Sequence, residues 1–186
     1  MTEKSQTAAV ELGSASSATP AAQERPDKRR TPPANGRATN FVLMPPDFVP
    51  PFEAVTSVAT VAFTEDGMIV AAEENRGPDL PGGHVMEGEE SPEETARRES
   101  QEETGIKLGV VHFLRAIQSD RYGNAPEELT YMVIMAALVV EQGPVPAGMK
   151  KHLMTVEQFF AAHRGLHNEM VRSLVLAAQH LLFAGR

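Results

Sequence analysis

Apolar and polar positions divide the chain into stretches of different period. Residues 1 to about 40 are rich in Ala, Ser, Thr, Pro and Gln and show neither a two-residue nor a 3.6-residue repeat. Such a segment buries too little apolar surface to offset its ordering entropy. Residues 1–40 are therefore expected to form a disordered tail, and 41–186 a folded domain. A proline-rich entry (Pro45, Pro46, Pro50, Pro51) leads into the β-branched run Val55 to Phe63, which reads as a buried strand. Asp66-Gly67 signals a tight turn, and Met68 to Ala72 returns as the partner strand. A turn-rich loop is expected from Asn75 to Gly83, a helix over 92–103, and strands over 109–118 and 129–140. The last of these, a long Met/Val/Ile/Leu run, suits a sheet centre. The C-terminal third predicts a short helix over 155–163 and a longer one over 167–183. In the longer helix Met170, Leu174, Ala177 and Leu181 would face the core. Strands mixed with helices in one domain, with no internal repeat, predict an α/β sandwich.

Composition narrows the chemistry. The chain has no Cys, which removes disulfides, thiolate metal sites and cysteine nucleophiles and fits a reducing compartment. A formal net charge of −8 disfavours DNA as a partner, because a polyanion requires a basic surface. No apolar run approaches the roughly 20 residues that span a bilayer, and the N-terminus lacks a secretory pattern. A cytoplasmic protein without membrane contact is the resulting expectation. Lys28-Arg29-Arg30 reads as part of a solvated tail, while Glu3, Glu11 and Glu24 disfavour a transit peptide. Met44, just before the folded part, is a conceivable later start.

The chemistry concentrates between Leu80 and Ile106, LPGGHVMEGEESPEETARRESQEETGI. Gly82-Gly83 and Gly88 allow sharp turns and close approach to a ligand. Ser91-Pro92-Glu93-Glu94 is a helix start, with Ser91 as cap, Pro92 at the first helical position and Glu94 completing a capping box. Gly105 stops the helix. Between them Glu99, Glu102 and Glu103 stand at i, i+3 and i+4 and share one face. Each isolated like-charged pair at this spacing costs a helix roughly 0.2–0.5 kcal/mol, and the macrodipole opposes acids near the C-terminus. A divalent cation would reverse that penalty, and oxygen-rich carboxylate sets suit Mg²⁺ or Mn²⁺. The competing reading is a solvated acidic face. Against it, only Ala96 in this helix is clearly apolar, so burial does not explain the composition. Arg98 is placed to pair with one of the acids.

This segment resembles the Nudix signature, in which Gly, five residues, Glu, seven residues and Arg-Glu-apolar-x-Glu-Glu-x-Gly-apolar form a loop-helix-loop. Arg98-Glu99, Glu102-Glu103 and Thr104-Gly105-Ile106 match its helical half, and the flanking Leu80-Pro81-Gly82-Gly83-His84-Val85 is also typical. There are two departures. Six residues separate Gly83 from Glu90 where the family has five; alternatively Glu89 is the loop acid and the extra residue sits at the helix start. The Ser-Pro cap favours Glu90. Ser100 stands where the family keeps an apolar residue, and its hydroxyl could bond back to the carbonyl of Ala96.

The resemblance implies a Nudix fold, an α/β/α sandwich with a mixed β-sheet. It implies a hydrolase that cleaves a diphosphate bond in a nucleoside diphosphate linked to another moiety, by in-line attack of metal-activated water. Glu99, Glu102 and Glu103 would be the catalytic and metal-holding acids, the carbonyl of Gly83 would complete the Mg²⁺ or Mn²⁺ site, and Glu90 and Arg98 would brace loop against helix. In the family the general base is often an acid outside this segment; Glu127, Glu128 and Glu141 are candidates. Arg76, Arg121 and Tyr122 lie in loops able to border a phosphate or base. His163 and His167 share an i,i+4 spacing, but Gly165 between them argues against a metal pair. Asp79 occupies a position where relatives often carry an aromatic, which points away from tight base recognition. The partner implied is a small phosphorylated, nucleotide-like substrate, with a homodimer possible. The alternatives are a non-catalytic Nudix-fold nucleotide-binding or regulatory module, and an interaction domain with a solvated acidic helix. Degenerate modules commonly lose the acids that are intact here.

Overall fold

The computed structural model describes residues 40–119, 129–164 and 168–184. In chain order the elements are β1 (Phe41–Leu43), a 3-10 turn (Phe52–Ala54), β2 (Val55–Phe63), β3 (Ile69–Glu74), β4 (Gly77–Asp79) and β5 (Gly82–His84). Then come α1 (Pro92–Thr104), β6 (Ile106–Ser119), β7 (Thr130–Gln142), β8 (Lys151–Met154), α2 (Val156–Ala162) and α3 (Asn168–Phe183).

The strands form a mixed sheet of order β1-β6-β7-β2-β3-β4, with β5 added to β2 and β8 to β3. Among the described residues only β2 and β7 run parallel. The 13-residue strand β7, apolar from Tyr131 to Val140, lies between β6 and β2, in the sheet centre as its composition requires. β2 splits the sheet. Ala62 and Phe63 at its C-terminal end pair with β3, whereas Ser57, Val58 and Ala59 pair with His84, Gly83 and Gly82 of β5. The divergence of β3 from β2 is what makes room for the glycine-rich strand.

Each face of the sheet carries its own core. Val55, Val58, Ala62, Val70, Val133 and Met135 pack with Val85 and with Ala96 of α1. Val61, Phe63, Ile69, Ala71, Ile134 and Ala136 pack with Phe159 of α2 and with Leu174, Val175 and Ala178 of α3. The strand period of two sends alternate residues of β2 to opposite helical layers. The molecule is the α/β/α sandwich expected. No helix among the described residues is long and apolar enough to cross a membrane.

Several details differ from the sequence reading. The loop from Asn75 to Gly83 contains β4 and most of β5, and β1 and β8 are further short strands; three or four residues with Gly and Pro carry too little pattern to announce themselves. β1 precedes Met44, so a chain starting at Met44 would lack an edge strand of the sheet. β6 begins at Ile106, immediately after the helix stop, and its register shifts three times along β7. In α3 the buried face is Leu174, Val175 and Ala178, with Leu181 exposed at 45%. Met170 and Leu174 of the expected stripe do pack in the core, and the neighbouring residues Val175 and Ala178 complete the buried face in place of Ala177 and Leu181. Glu94 reaches back past the Ser91 cap to accept from the Glu90 amide at 2.8 Å, so the reciprocal half of the capping box falls one residue early.

Ser100 is fully buried against the sheet, and its hydroxyl makes no hydrogen bond to the carbonyl of Ala96 or to any other group. Replacing it by Ala removes an unsatisfied buried hydroxyl and introduces a better helix former. Ser100→Ala is expected to stabilise the protein by about 1 kcal/mol, raising Tm by about 2–4 °C. Thermal melting that shows an unchanged or lower Tm would contradict the unpartnered state of this hydroxyl.

Candidate active site

The helix α1 is delimited by its own chemistry. Ser91 caps the N-terminus by accepting from the Glu94 amide, and Gly105 ends it at φ 69°. Its sheet-facing residues are Thr95, Ala96, Glu99, Ser100 and Thr104, all buried. Small side chains let the helix lie close to the sheet, and this brings Glu99 inside. Opposite it, the backbone of Gly83 comes so near that a Cβ there would stand 2.2 Å from the Glu99 Oε1. A Cβ on Gly82 would likewise sit 2.4 Å from the Val58 carbonyl oxygen. Gly82 is demanded by close approach to backbone, whereas a side chain at Gly83 would displace the Glu99 carboxylate.

Arg98 joins loop to helix. Its Nε donates to Glu89 Oε1 at 2.7 Å and its Nη2 to the carbonyl of His84 at 2.8 Å. Its Nη1 donates to Glu99 Oε1 at 2.6 Å and to Glu102 Oε2 at 3.1 Å. The Glu89 carboxylate also accepts from the Met86 amide and the Thr95 hydroxyl, each at 2.7 Å. Burial alone would raise the Glu89 pKa, but Arg98, the Met86 amide and Thr95 outweigh it and hold the group below the usual carboxylate range.

This corrects the expected role of Glu90. Glu90 is exposed, and in these contacts it contributes only its backbone amide, to Glu94. The loop acid is Glu89. Five residues (84 to 88) then separate it from Gly83, the family spacing, and the extra residue lies between Glu89 and Arg98 instead. Counting forward from Gly83 was the sequence signal for Glu89; the strong cap at Ser91 obscured it.

Glu103 is half-buried, and its Oε2 accepts from the Gly82 amide at 2.9 Å. Its pKa is pushed up to about 7, chiefly by burial; the Gly82 amide pulls the other way, and the charges of Glu99, Glu74 and Asp79 add to the rise. Among the described residues no three carboxylate or imidazole groups form a closed ligand set; Arg98 engages Glu99 and Glu102, and Gly82 engages Glu103. The donors nonetheless fit a hard divalent cation. Glu99 and Glu103 repel across one helical turn, beside backbone that no side chain blocks, and such a cation would relieve a charge that burial makes unfavourable.

A cleft of about 370 Å³ opens beside this site, on the α2/α3 side of the sheet. Gly82, Gly83 and His84 line one end; Glu74, Arg76, Asp79 and His163 line another part. Arg76 is therefore at the cleft, where its guanidinium donates to Asp79 at 3.2 Å. Asp79 also accepts from the Leu80 amide, and its Oδ1 lies 3.1 Å from Nε2 of the buried His163. His163 Nδ1 lies 3.0 Å from Asn168 Oδ1, so this histidine ties the end of α2 to β4 and to the start of α3. Asp79, read from sequence only as a missing aromatic, is a structural latch. Glu141 does not line the cleft; Lys107 holds its carboxylate at 2.8 Å. Arg121, Tyr122, Glu127, Glu128 and His167 lie outside the described residues.

The NUDIX domain family model matches residues 54–174. The chain belongs to the Nudix family. Solved structures with the same fold include MutT, from work on Aliivibrio salmonicida and Vibrio cholerae, at 21% identity and TM-score 0.51, covering 65% of this chain and 94% of that one. The Bacillus subtilis pyrophosphohydrolase BsRppH is 20% identical with TM-score 0.55, over 79% of this chain and 91% of its own. The NUDIX domain of Shewanella oneidensis NrtR, complexed with ADP ribose, is 18% identical with TM-score 0.52, over 69% and 88%. No curated protein sequence matches the chain. At these identities the neighbours speak for the Nudix fold alone.

Two predictions follow from the geometry. Glu89→Ala breaks a largely buried ion pair and two further hydrogen bonds, and is expected to cost about 2 kcal/mol. Glu90→Ala is expected to fall within about 0.5 kcal/mol of the wild type. Denaturant titration of both variants checks this, and equal losses would return the bracing role to Glu90. Glu103 has a folded pKa of about 7 against an ordinary 4.5. Ionising it therefore costs the folded state, so its contribution is present below about 4.5 and is lost as pH rises through about 7. With divalent ions chelated, Glu103→Gln is expected to gain Tm relative to the wild type between pH 5 and pH 8. A Tm difference that stays constant over that range would refute the assignment.

Proposed function

We propose that this protein is a metal-dependent pyrophosphohydrolase that cleaves the diphosphate linkage of a nucleoside diphosphate joined to another group. The observation that carries this reading is the half-buried Glu103, crowded by Glu99, Glu74 and Asp79 beside the exposed backbone of Gly82-Gly83, next to an open cleft. Accumulated negative charge at a ligand-sized cleft is unfavourable unless a cation is bound there. Glu99, Glu103 and the Gly83 carbonyl would be the principal ligands of Mg²⁺ or Mn²⁺, with Glu102 a further one. The ion would neutralise the diphosphate and lower the pKa of the attacking water. Arg98 and Glu89 keep the loop seated on the helix, so the Gly83 carbonyl and the acids hold fixed positions. Arg76, once released from Asp79, is available to a phosphate; Arg121 and Tyr122 remain candidate substrate contacts.

Water would add to phosphorus as the bridging P–O bond breaks, leaving two phosphorylated products. The lack of a Ser, Cys or His nucleophile constellation agrees with water in that role. The extra residue, the one feature favouring a non-catalytic module, falls outside the Gly83-to-Glu89 segment, so it no longer speaks against turnover. That the NrtR NUDIX domain was crystallised with ADP ribose supports a nucleotide-like substrate. A cytoplasmic location, a possible homodimer and a tail over residues 1–40 complete the reading.

A hydrolysis screen tests it. Nucleoside triphosphates, dinucleotides and nucleotide sugars would be offered with Mg²⁺ or Mn²⁺ to the wild type and to Glu103→Gln. Turnover of at least one compound is expected, with kcat lowered at least about 100-fold in the variant. Undiminished turnover in Glu103→Gln would sink the site assignment. Absence of both turnover and calorimetric uptake of either ion would sink the enzymatic reading.

A further inference from the structure

The cleft holds a polar group that the proposed diphosphate chemistry does not use. Ser57 lies on β2 at 5% exposure among the residues that line the cleft. Its hydroxyl oxygen is itself buried and has no hydrogen-bond partner among the described residues, and rotation about χ1 is what would turn it to the cleft. Its sheet face is otherwise apolar: Ala59 and Val61 follow it on β2, and Met132 and Ile134 adjoin it on β7. Its backbone is committed on both sides, opposite His84 of β5 and Met132 of β7, so the position cannot drift. A buried hydroxyl left without a partner costs about 1–3 kcal/mol, and native structures rarely tolerate one without a reason. Nothing described around the hydroxyl bonds its oxygen.

We propose that Ser57 is a specificity-determining residue, whose hydroxyl hydrogen-bonds a polar group on the organic moiety of the substrate. The placement favours this. Ser57 faces the register position of His84, directly beyond Gly82-Gly83, where the proposed site would hold the phosphates. A diphosphate seated there directs its organic substituent into the rest of the cleft, along the face that Ser57 shares with Ala59, Met132 and Ile134. Those aliphatic side chains offer contact area without polar discrimination. Ser57 supplies the discrimination, because a serine hydroxyl turns about one torsion and both donates and accepts. Sites built to hydrogen-bond a substrate group reject analogues that lack it far more strongly than apolar walls do.

The inference rests on the diphosphate reading, and the test separates the two by measuring binding and turnover independently. Wild type and Ser57→Ala would be titrated calorimetrically, in Mg²⁺, with ADP ribose, a UDP-sugar, dATP and methylenediphosphonate, which has no organic moiety. Melting curves verify folding, and Ser57→Ala is expected to melt at or above the wild-type temperature. For at least one compound with an organic moiety, Kd is expected to rise about tenfold in Ser57→Ala, while methylenediphosphonate binds both proteins equally. Where that compound is also hydrolysed, KM rises by a similar factor and kcat changes less than twofold. Ser57→Thr, which keeps the hydroxyl, is expected to recover part of the affinity. Equal affinity of Ser57→Ala and wild type for every compound would overturn the proposal. So would parallel weakening of methylenediphosphonate, or failure of all four to bind the wild type. Binding without turnover that still depends on Ser57 would uphold the proposal and count against hydrolysis alone.

Discussion

The Arg98 guanidinium is the constraint on which the site depends. It gathers the His84 carbonyl and the carboxylates of Glu89, Glu99 and Glu102 around one planar cation. Without it, three of these groups would be converging like charges, two of them, Glu89 and Glu99, at low exposure, where repulsion is far less screened than in water. A lysine could neutralise one of them but could not hold four oxygens in fixed directions. The arginine works because its donors diverge: one edge reaches the loop, the other reaches back to its own helix. The residue that satisfies the acids therefore also fixes the loop, and Glu103, which it does not touch, is left crowded and half-buried.

Close packing permits that arrangement. Thr95, Ala96, Ser100 and Thr104 give α1 a sheet-facing stripe of small side chains, and Gly82 and Gly83 give β5 almost none. Larger residues would secure more hydrophobic stabilisation, yet they would lift the helix and move Glu99 away from the Gly83 backbone. Stability is conceded here in favour of geometry, and the unpartnered Ser100 hydroxyl is a visible part of that concession. The large apolar residues are instead concentrated in β2, β7 and the helices on the other face, which hold the sheet rigid beneath the site.

What could be read from sequence follows the range of the interactions involved. β2, β3, α1, β7 and the two C-terminal helices each carry several turns or pleats of consistent pattern, and their caps and turns lie within a few residues. β1, β5 and β8 are three or four residues long and exist because a distant strand supplies the partner, while β4 is a three-residue return of β3 with too little pattern of its own. Glu89 and Glu90 are adjacent and chemically identical, so only the fold decides which carboxylate turns toward Arg98. Asp79 and His163 stand 84 positions apart, and no local pattern signals their contact. The buried face of α3 is only partly legible for a related reason: two adjacent apolar stripes run along the helix, and the sheet takes residues from both.

The same distinction separates the acidic site from the cleft beside it. Gly82, Gly83, Glu89, Arg98, Glu99, Glu102 and Glu103 come from one continuous segment, so their chemistry survives as a linear motif and marks the family. The cleft is assembled from β1, β2, β3, β4, β6, β7, α3 and the residue that ends α2, whose contributions are residues of ordinary type, such as Ser57, Asp79, Met132 and His163. None of these is unusual in its own neighbourhood; each acquires meaning only from what the fold sets opposite it. Ser57 and Met132 can vary without disturbing the acids, because they sit across the sheet from α1, whereas Asp79 adds its charge to the crowding of Glu103. On the reading proposed above, reaction type is therefore legible in this sequence while substrate choice is not, and the unsatisfied hydroxyl of Ser57 is where the structure supplies information that the motif lacks.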